Sequence, residues 1–383
     1  MITPGHLASN PRLVKEAQAL TAAGYQVHLI FTQYVCYLID FDSVILKKNP
    51  AWTFDCLNRT TKSIGTQSRN YAAAAIQKLC LMLLLQGKNS DYVLSHAINR
   101  FFGWQCKKAA ATKADLYIAH NLAALPVAVF AAKKNNSKCG FDAEDFHRNE
   151  VSDDPENEDV ILKTSIENQY IPQISYLTSS SLQITNLYHA LFPAKKIDTI
   201  RNVFPAVKTA QLPFTQTDQP LKLFWFSQSI GLNRGLQDVL AAIKLLENEA
   251  VELHLLGFLT DETSKNLLRI IADLKFKRKP AILFHQPVYA DQLINFAAQF
   301  DIGLALEPAF CLNNDAALSN KIFTYLQAGL AVLATDTTAQ KQFLAENPAL
   351  GFCYEKGNPA QLAAILKQLI DDPALLQKTR QKA

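Results

Sequence analysis

The sequence predicts an α/β protein with two Rossmann-like, doubly wound domains, and three observations lead to this prediction. Helical and strand-like segments alternate along most of the chain, which is typical of a parallel sheet covered by helices. The 383 residues exceed one ordinary domain, and 49% of them are hydrophobic, enough for two cores. Three prolines within residues 202–221 interrupt the alternation and indicate an interdomain connection. We therefore expect an N-terminal domain over residues 1–205 and a C-terminal domain over residues 206–383.

The first domain is predicted from helix boundaries and apolar runs. Pro11 begins an amphipathic helix that Gly24 ends, and a strand follows at residues 25–32. Residues 70–113 are mainly helical in pattern. The remaining elements are a helix at residues 125–135 and strands at residues 115–120, 138–145, 176–181 and 196–202.

The second domain has the clearer alternation of the two, which predicts a doubly wound sheet. Its strands are expected at residues 222–228, 251–257, 281–288, 301–308, 330–335 and 351–355. Its helices are expected to begin near Asn233, Asp261, Ala290, Asn320, Thr338 and Asn358.

Charge and composition exclude several classes of protein. The formal net charge is only +4 and the lysines are dispersed, so we expect no nucleic-acid partner. Seven cysteines without a CxxC pair argue against a disulfide framework and against a zinc site. The apolar run at residues 122–132 is far shorter than the roughly 20 residues of a membrane span. With no signal-like N-terminus, the sequence favours a cytoplasmic location.

Two helices of the second domain are predicted to begin with a cation. Ser319 or Asn320 can cap the helix whose first turn contains Lys321, and Asn233 can cap another whose first turn contains Arg234. A helix N-terminus already carries partial positive charge, so a cation there is unfavourable unless an anion joins it. Both helix starts should lie at the carboxyl edge of the sheet, where ligands bind. The sequence therefore predicts a diphosphate site between the two cations; the alternative is a pair of solvated surface side chains.

The chain resembles the GT-B glycosyltransferases, in particular the retaining family 4. The stretches that carry the resemblance are "HLASNPRLVKEAQALTAAGYQVHLI", "ADLYIAHNLAALPVA", "FDAEDFHRNE", "SYLTSSSLQ", "DTIRNVF", "FSQSIGLNRGL", "DIGLALEP" and "LSNKIFTYLQAGLAVLATD". The resemblance covers nearly the whole chain and implies two domains facing a cleft. It also implies a nucleoside-diphosphate sugar on the C-terminal domain, with the diphosphate held where Arg234 stands.

The remaining donor-side residues are expected from this resemblance and from the helix-start argument. They are Ser229, Gly231, Asn233, Glu307, Ser319, Asn320 and Thr324. Fixed cations bind the departing diphosphate in the transition state more strongly than they bind the intact donor, so Arg234 and Lys321 are assigned to catalysis. No metal or other cofactor is then expected.

The chain departs from the family pattern at two places. The family commonly has a Glu-x7-Glu pattern, and here Ala316 and Thr324 occupy its two acidic positions. Thr324 can bond a ribose hydroxyl less strongly than a carboxylate would. The family also tends to have a Gly-Arg pair where Gln228 and Ser229 stand, so one expected cation is absent.

Polar residues of the first domain are candidates for contact with the sugar or acceptor. The resemblance places a histidine that touches the transferred sugar or the acceptor near His120, the third catalytic candidate; the alternative is a structural histidine. Glu144, Asp145 and His147 follow another strand and are the acceptor-side candidates, with a loop of capping and salt-bridging residues as the alternative. Glu167 resembles a family position and is expected to be structural.

Residues 71–108 combine apolar helical patterning with aromatics and lysines. We expect most of this surface to be buried core; a peripheral contact at the inner face of the membrane is the alternative. Family members generally start with one more strand before the "HLASNPR" equivalent and end with a long helix, so the resemblance indicates shortened chain ends.

The leading hypothesis is transfer of a sugar, with retention, from a nucleoside-diphosphate sugar to a glycan, lipid-linked or small-molecule acceptor. Synthesis of surface polysaccharide is the expected context. One rival is an isomerase of the same fold that resembles the nucleotide-sugar 2-epimerases. The other is a catalytically degenerate binding protein, suggested by the missing acidic pair and the missing Gly-Arg.

Overall fold

The computed structural model describes residues 1–61, 63–203, 219–289 and 292–383, apart from the side chain of Asn233. The chain divides into two compact units. The first contains Met1–Arg201 and Cys311–Asn313, and the second contains Asn202–Phe310 and Asn314–Ala383. The predicted boundary at residues 205 and 206, and most of the predicted connection, lie outside the described residues, as does the expected helix start near Ala290.

In the described part of the first unit, α-helices and strands alternate along the chain except for three consecutive helices before the third strand. Its strands are β1 (His28–Gln33), β2 (Thr53–Asn58), β3 (Leu116–His120), β4 (Lys138–Ala143), β5 (Tyr176–Ser179) and β6 (Ile197–Thr199). Its helices are α1 (Pro11–Ala22), α2 (Ile39–Lys48), α3 (Ile64–Leu85), α4 (Asp91–Ile98), α5 (Phe102–Ala111), α6 (Leu125–Asn135), α7 (Glu158–Tyr170) and α8 (Leu182–Leu191).

The parallel strands of the first unit form two ribbons, β2-β1 and β3-β4-β5-β6. Ile2 joins the ribbons, because it makes parallel bridges to Ile30 in β1 and to Ala119 in β3. The Ile2 N–H donates to the Ile118 carbonyl at 2.9 Å, and the Ile2 carbonyl accepts from the His120 N–H at 2.9 Å. Residues 1–3 therefore occupy the position of a central strand.

The second unit alternates more regularly. Its strands are β7 (Leu221–Ser229), β8 (Val251–Phe258), β9 (Ala281–His285), β10 (Ile302–Ala305), β11 (Ala331–Thr335) and β12 (Gly351–Tyr354). Its helices are α9 (Leu236–Leu245), α10 (Asp261–Asp273), α11 (Leu293–Ala297), α12 (Leu312–Ala316, of which the first two residues group with the first unit), α13 (Asn320–Gln327), α14 (Thr338–Glu346), α15 (Pro359–Asp371) and α16 (Pro373–Lys382).

The six strands of the second unit form one parallel sheet in the order β12-β11-β10-β7-β8-β9. Alternate residues of β7 enter different cores: Leu223 and Trp225 pack on the side of α9 and α15, and Phe224 packs on the side of α13. A sheet buried on both faces is the predicted doubly wound arrangement, so the fold-class prediction is confirmed. The order places the carboxyl ends of β7 and β10 side by side.

Close packing fixes α13 against β10. A Cβ built on Gly303 would lie 2.1 Å from the ring of Tyr325, so only glycine leaves room for that side chain. The Tyr325 hydroxyl also donates to the Leu304 carbonyl at 3.0 Å, and the residue is fully buried. Together these contacts set the position from which the first turn of α13 reaches the end of β10.

The structure differs from the predicted elements in the first unit. Strand β2 and helix α2 were not predicted. In β2, "TFDCLN", a polar residue stands among the apolar ones, and every side chain is exposed or half-buried. The expectation that residues 71–108 are mostly core is wrong for α3, where only Cys80 and Leu84 are buried. None of the helices in the described part of the chain combines the length and the apolarity of a membrane span.

Candidate functional site

Glu307 stands at the carboxyl edge of the second sheet, two residues after β10, and gathers three donors. Its Oε1 lies 2.9 Å from Lys321 Nζ and 2.9 Å from Ser319 Oγ. Its Oε2 accepts from Asn314 Nδ2 at 3.1 Å. Burial opposes ionisation of Glu307, but Lys321 and the two neutral donors outweigh it and hold the pKa of the carboxyl below its ordinary value.

The cation at the start of α13 is therefore joined by an anion of the chain itself. Helix α13 begins at Asn320 with Ser319 as its N-cap, as predicted, but the Ser319 side chain bonds Glu307 instead of capping the helix. Lys321 retains 13% side-chain exposure beside Glu307 at 9%. The expectation that Lys321 has no anionic partner until a diphosphate binds is thus wrong for the ligand-free structure. Sequence spacing did not show that Glu307 lies beside the first turn of α13.

Arg234 has a different setting from the one predicted. Helix α9 begins at Leu236, and its N-cap is Gly235, not Asn233; Arg234 ends a short 3-10 turn over Leu232–Arg234. Gly235 has φ of 75°, a conformation that favours glycine, and this residue interrupts the helix. The Arg234 side chain is exposed and has no ion-pair partner among the residues that the structure describes.

The turn that carries Arg234 lies against the residues that follow β10. A Cβ built on Gly235 would lie 3.0 Å from the Cβ of Leu306, the neighbour of Glu307. The structure therefore brings Arg234, Glu307 and Lys321 to one edge of one sheet.

The other donor-side candidates surround this edge with unequal access. Ser229 is the exposed last residue of β7, Gly231 precedes the 3-10 turn, and Asn320 is exposed at the start of α13. Thr324 lies one turn along α13 and is 3% exposed. The side chain of Asn233 lies outside what the structure describes.

In the first unit, His120 belongs to a buried ionic cluster at the end of β3. Its Nε2 lies 2.7 Å from Glu16 Oε2, in an ionic contact without hydrogen-bond alignment, and its Nδ1 lies 3.4 Å from Asp142 Oδ2. Arg12 donates to Asp142 from Nε at 2.5 Å and from Nη2 at 2.8 Å. The Thr178 hydroxyl donates to the same carboxylate at 2.6 Å. His120 itself is 1% exposed.

Charge balance explains the protonation of this cluster. Burial opposes protonation of His120, but Asp142 and Glu16 outweigh it and raise the pKa of the imidazole. Burial likewise opposes ionisation of Asp142, yet His120 and Arg12 hold the pKa of its carboxyl well below the ordinary value. The cluster thus pairs two cations with two carboxylates.

The same cluster contains a possible metal-ligand set. Glu16, His120 and Asp142 present ligand atoms within 4.8 Å of one another. The two oxygens of Asp142 are, however, already bonded to the guanidinium of Arg12, which supplies the positive charge that an ion would bring. A metal there would have to displace Arg12, so these residues fit an ion poorly.

The three acceptor-side candidates line a single cavity of about 130 Å³ in the first unit. Glu144, Asp145 and His147 form one wall, and the loop after Ile2 with Ser9 forms another. Burial raises the pKa of both Glu144 and Asp145, and the charges of nearby carboxylates raise each further. Carboxylates with raised pKa values in a cavity can hold a hydroxyl group and accept its proton.

His147, which also lines this cavity, has a ring nitrogen without a partner among the described residues. The residue is 2% exposed, its Nδ1 lies 3.2 Å from Glu150 Oε2, and its Nε2 is buried. Burial opposes protonation, but Glu150 outweighs it and raises the pKa of the ring. Asn121, which has the strained φ of 71°, lines the same cavity directly after β3.

Three residues of these sites were missed by sequence reasoning. Arg12 follows Asn10 at the first turn of α1, the same Asn-plus-cation signal that singled out Lys321, and the signal was not applied there. Glu16 gave no separate signal. Asn313, which donates to Asp145 at 3.1 Å and accepts from the Phe146 N–H at 2.7 Å, is distant in sequence and could not have been found.

Glu167 is fully buried and bonds Arg148 and Tyr188, as a structural residue would.

Comparison with known proteins relates the second unit to a family of enzymes. Residues 221–372, which hold Arg234, Glu307 and Lys321, match the family described as glycosyl transferases group 1. The second unit is therefore similar to the group 1 glycosyltransferases. The match covers the second unit alone, so the first unit is placed by fold. A search of curated protein sequences found no match.

Similarity to solved structures covers the whole chain and places it in the GT-B fold. HepE from Anabaena, solved with UDP and glucose, has a TM-score of 0.66 at 13% identity, over 100% of this chain and 92% of its own. TarM from S. aureus has a TM-score of 0.59 at 16% identity over 74% of this chain, which spans only 54% of the TarM chain. A putative UDP-N-acetylglucosamine 2-epimerase from Listeria monocytogenes has a TM-score of 0.56 at 14% identity, over 99% of this chain and 89% of its own. These likenesses show the fold and do not separate transferase from epimerase.

Proposed function

We propose that the protein transfers a sugar from a nucleoside-diphosphate sugar to a hydroxyl group of a glycan, lipid-linked or small-molecule acceptor, with retention and without a metal. The observation that carries this proposal is the contrast among three cations that stand near helix starts. Arg12 is neutralised by Asp142 and Lys321 by Glu307, whereas Arg234 is exposed and unpaired in the described structure. An unneutralised guanidinium at the carboxyl edge of a parallel sheet is suited to bind a diphosphate.

The roles follow from this arrangement. As the bond between the sugar C1 and the diphosphate oxygen breaks, negative charge grows on the leaving nucleoside diphosphate, and Arg234 stabilises it. Lys321 stays paired with Glu307 and adds a donor at the same edge. Because the configuration is retained, the acceptor oxygen forms its new bond to C1 on the face that the diphosphate leaves, and its proton passes to the departing diphosphate oxygen. Glu144 or Asp145 of the first-unit cavity orients the acceptor hydroxyl. The proposed contacts of the nucleotide are Ser229, Gly231, Ser319, Asn320 and Thr324.

The test is release of nucleoside diphosphate in the presence and absence of acceptors, across a panel of nucleotide sugars. Acceptor-dependent release is expected, and Arg234→Ala should lower it roughly a hundredfold to a thousandfold, the usual loss on removing one fixed donor to a developing charge. Interconversion of the donor without any acceptor would instead support the epimerase-like rival. Binding of nucleotide without turnover of any donor would support the degenerate binding protein, to which the replacement of the family glutamate by buried Thr324 points.

We further infer a peripheral contact with the cytoplasmic face of an anionic membrane, through one face of α3. Ile64, Tyr71, Leu79 and Met82 recur along that face and are between 50% and 88% exposed. Residues 56–90 contain five basic residues and no acidic one. An exposed apolar stripe beside cations is the pattern of an interfacial helix, and the charge is complementary to anionic lipid headgroups.

A further inference from the structure

A second cavity of the first unit, of about 460 Å³, has no assigned role. Two arginines face it from different elements: Arg59 follows β2, and Arg100 stands between α4 and α5. Helix α3 supplies Asn70 and Gln77 to its wall. The described residues that line this cavity include no carboxylate.

The two guanidinium groups are held in place without being neutralised. Arg59 lies over the ring of Phe101, 5.4 Å from its centroid, and its buried Nε has no hydrogen-bond partner among the residues that the structure describes. Arg100 donates from Nε to Gln77 Oε1 at 3.1 Å. Neither arginine has an ion pair within the described parts of the chain. Burial and the charge of the nearby Arg69 lower the pKa of Arg59.

Of the two supporting amides, Asn70 leaves an acceptor for a ligand, whereas Gln77 bonds Arg100 through Oε1 and the Ala97 carbonyl through Nε2. Asn70 Nδ2 donates to the Arg59 carbonyl at 3.3 Å, while its buried Oδ1 has no partner among the described residues and can accept from a hydroxyl group. A buried donor and a buried acceptor without partners in one cavity are costly unless something binds there.

This cavity adjoins the acceptor cavity. Pro4 and Tyr34 line both of them, so the two share a wall. Their charges are opposite: arginines line the larger cavity, and Glu144 and Asp145 line the smaller. A ligand that spans both would place an anionic group beside the arginines and a hydroxyl group beside the carboxylates.

We propose that the cavity between Arg59 and Arg100 binds a phosphate-class group of the acceptor. This rests on the proposed function, because it assigns a chemical class to the acceptor of that reaction. Two unneutralised guanidinium groups favour a doubly charged anion over a single carboxylate, and each can bond two phosphate oxygens at once. The volume suffices for a phosphate or diphosphate with part of its attached sugar.

The primary experiment is calorimetric titration of the full chain with inorganic pyrophosphate at low salt, carried out on an Arg234→Ala background so that the donor site does not contribute. Arg59→Gln and Arg100→Gln should each weaken binding at least roughly tenfold, since charge-assisted bonds of this kind contribute about 1.5–3 kcal/mol. Arg269→Gln, an exposed guanidinium of the second unit, is the matched control and should change nothing. Arg100→Gln removes a single exposed contact, so its fold should persist, and an unchanged melting curve verifies this.

A second arm distinguishes the source of the phosphate. The same variants are sedimented with vesicles of phosphatidylglycerol and phosphatidylcholine, one part to three. Arginine-dependent binding to both vesicles and pyrophosphate supports a lipid-borne phosphate, and arginine-dependent binding to pyrophosphate alone supports a soluble one. Equal pyrophosphate affinity in Arg59→Gln, Arg100→Gln and the Arg269→Gln control would overturn the proposal. Failure of the proposed function would appear separately, as nucleotide binding that does not depend on Arg234.

Discussion

At the scale of single residues, this protein shows that a cation at a helix start has more than one meaning. Arg12 and Lys321 are paired with carboxylates that are distant in sequence, whereas Arg234 has no ion-pair partner among the described residues. The physical rule, that such a cation requires an anion, holds in all three cases if a ligand supplies the third anion. The rule itself does not say where the anion comes from.

Removing the two cations of the second unit should therefore change the stability of the ligand-free fold by very different amounts. Lys321→Ala leaves the buried Glu307 carboxylate without its charged partner, so we expect the free energy of unfolding to fall by about 1–3 kcal/mol. Arg234→Ala removes an exposed, unpaired side chain and should change the free energy of unfolding by less than about 0.5 kcal/mol. Urea denaturation without ligand measures both. Adding Glu307→Gln to Lys321→Ala should recover part of the loss; an unchanged double variant would mean that Glu307 is not the partner that matters.

His120 of the first unit and the two histidines of the second unit should make the free energy of unfolding depend on pH in opposite directions. The folded-state pKa of His120 is raised by Asp142 and Glu16, so its stabilisation is complete below pH of about 6.5 and is lost as pH rises through the folded pKa. His254 and His285, whose ring nitrogens lie 3.0 Å apart, have pKa values lowered by burial. Their neutral forms are the stable ones, so stability should be lost as pH falls below about 6.5.

Unfolding free energies at pH 5, 6.5 and 8.5 test this pair of signs. His285→Gln should reduce the loss between pH 6.5 and 5, and His120→Gln should reduce the loss between pH 6.5 and 8.5. Each substitution serves as the control for the other. An identical pH profile in the parent and in both variants would contradict the assignment of either histidine.

At the scale of elements, α3 is where sequence and structure disagree most. Its leucines and alanines predict burial, yet most of its apolar side chains are exposed. The apolar residues of this helix extend around much of its circumference, so the pattern alone cannot tell a core-facing helix from one that presents an apolar face outward.

Leu79→Gln with Met82→Gln should weaken sedimentation with vesicles that contain phosphatidylglycerol. Burying each of these side chains in the interface contributes about 1.5–3 kcal/mol, so we expect at least a tenfold loss of vesicle affinity. Leu268→Gln removes a comparably exposed apolar residue from α10 in the second unit and should have no effect. Vesicle binding that is absent in the parent, or equal in all three proteins, would exclude α3 as a membrane contact.

At the scale of the whole molecule, much of the fold could be predicted from the sequence, because apolar runs of 4–8 residues separated by amphipathic helices leave few alternatives. The second unit follows this logic closely, and its strand positions agree with prediction within a few residues. Strand β2 could not be predicted, since its residues lack both a continuous apolar run and a clear alternation.

The candidate sites were predictable only in part. Residue type and position at strand ends singled out Glu144, Asp145 and His147, and the structure places them around one cavity. The partners of His120 and Lys321 could not be inferred, because Asp142 and Glu307 reach them through tertiary packing, not through sequence spacing. The start of α9 was misplaced because the left-handed backbone of Gly235 ends one helical turn and begins another.

The position of Ile2 in the sheet bears on the order of folding. The bridge from Ile2 to Ala119 closes a loop of more than 110 residues, whereas each neighbouring ribbon pairs strands that are much closer in sequence. Entropy therefore favours early formation of the two ribbons and late insertion of residues 1–3 between them. Until that step the inner edges of β1 and β3 are unpaired, and an intermediate at this stage would present two open strand edges to other chains.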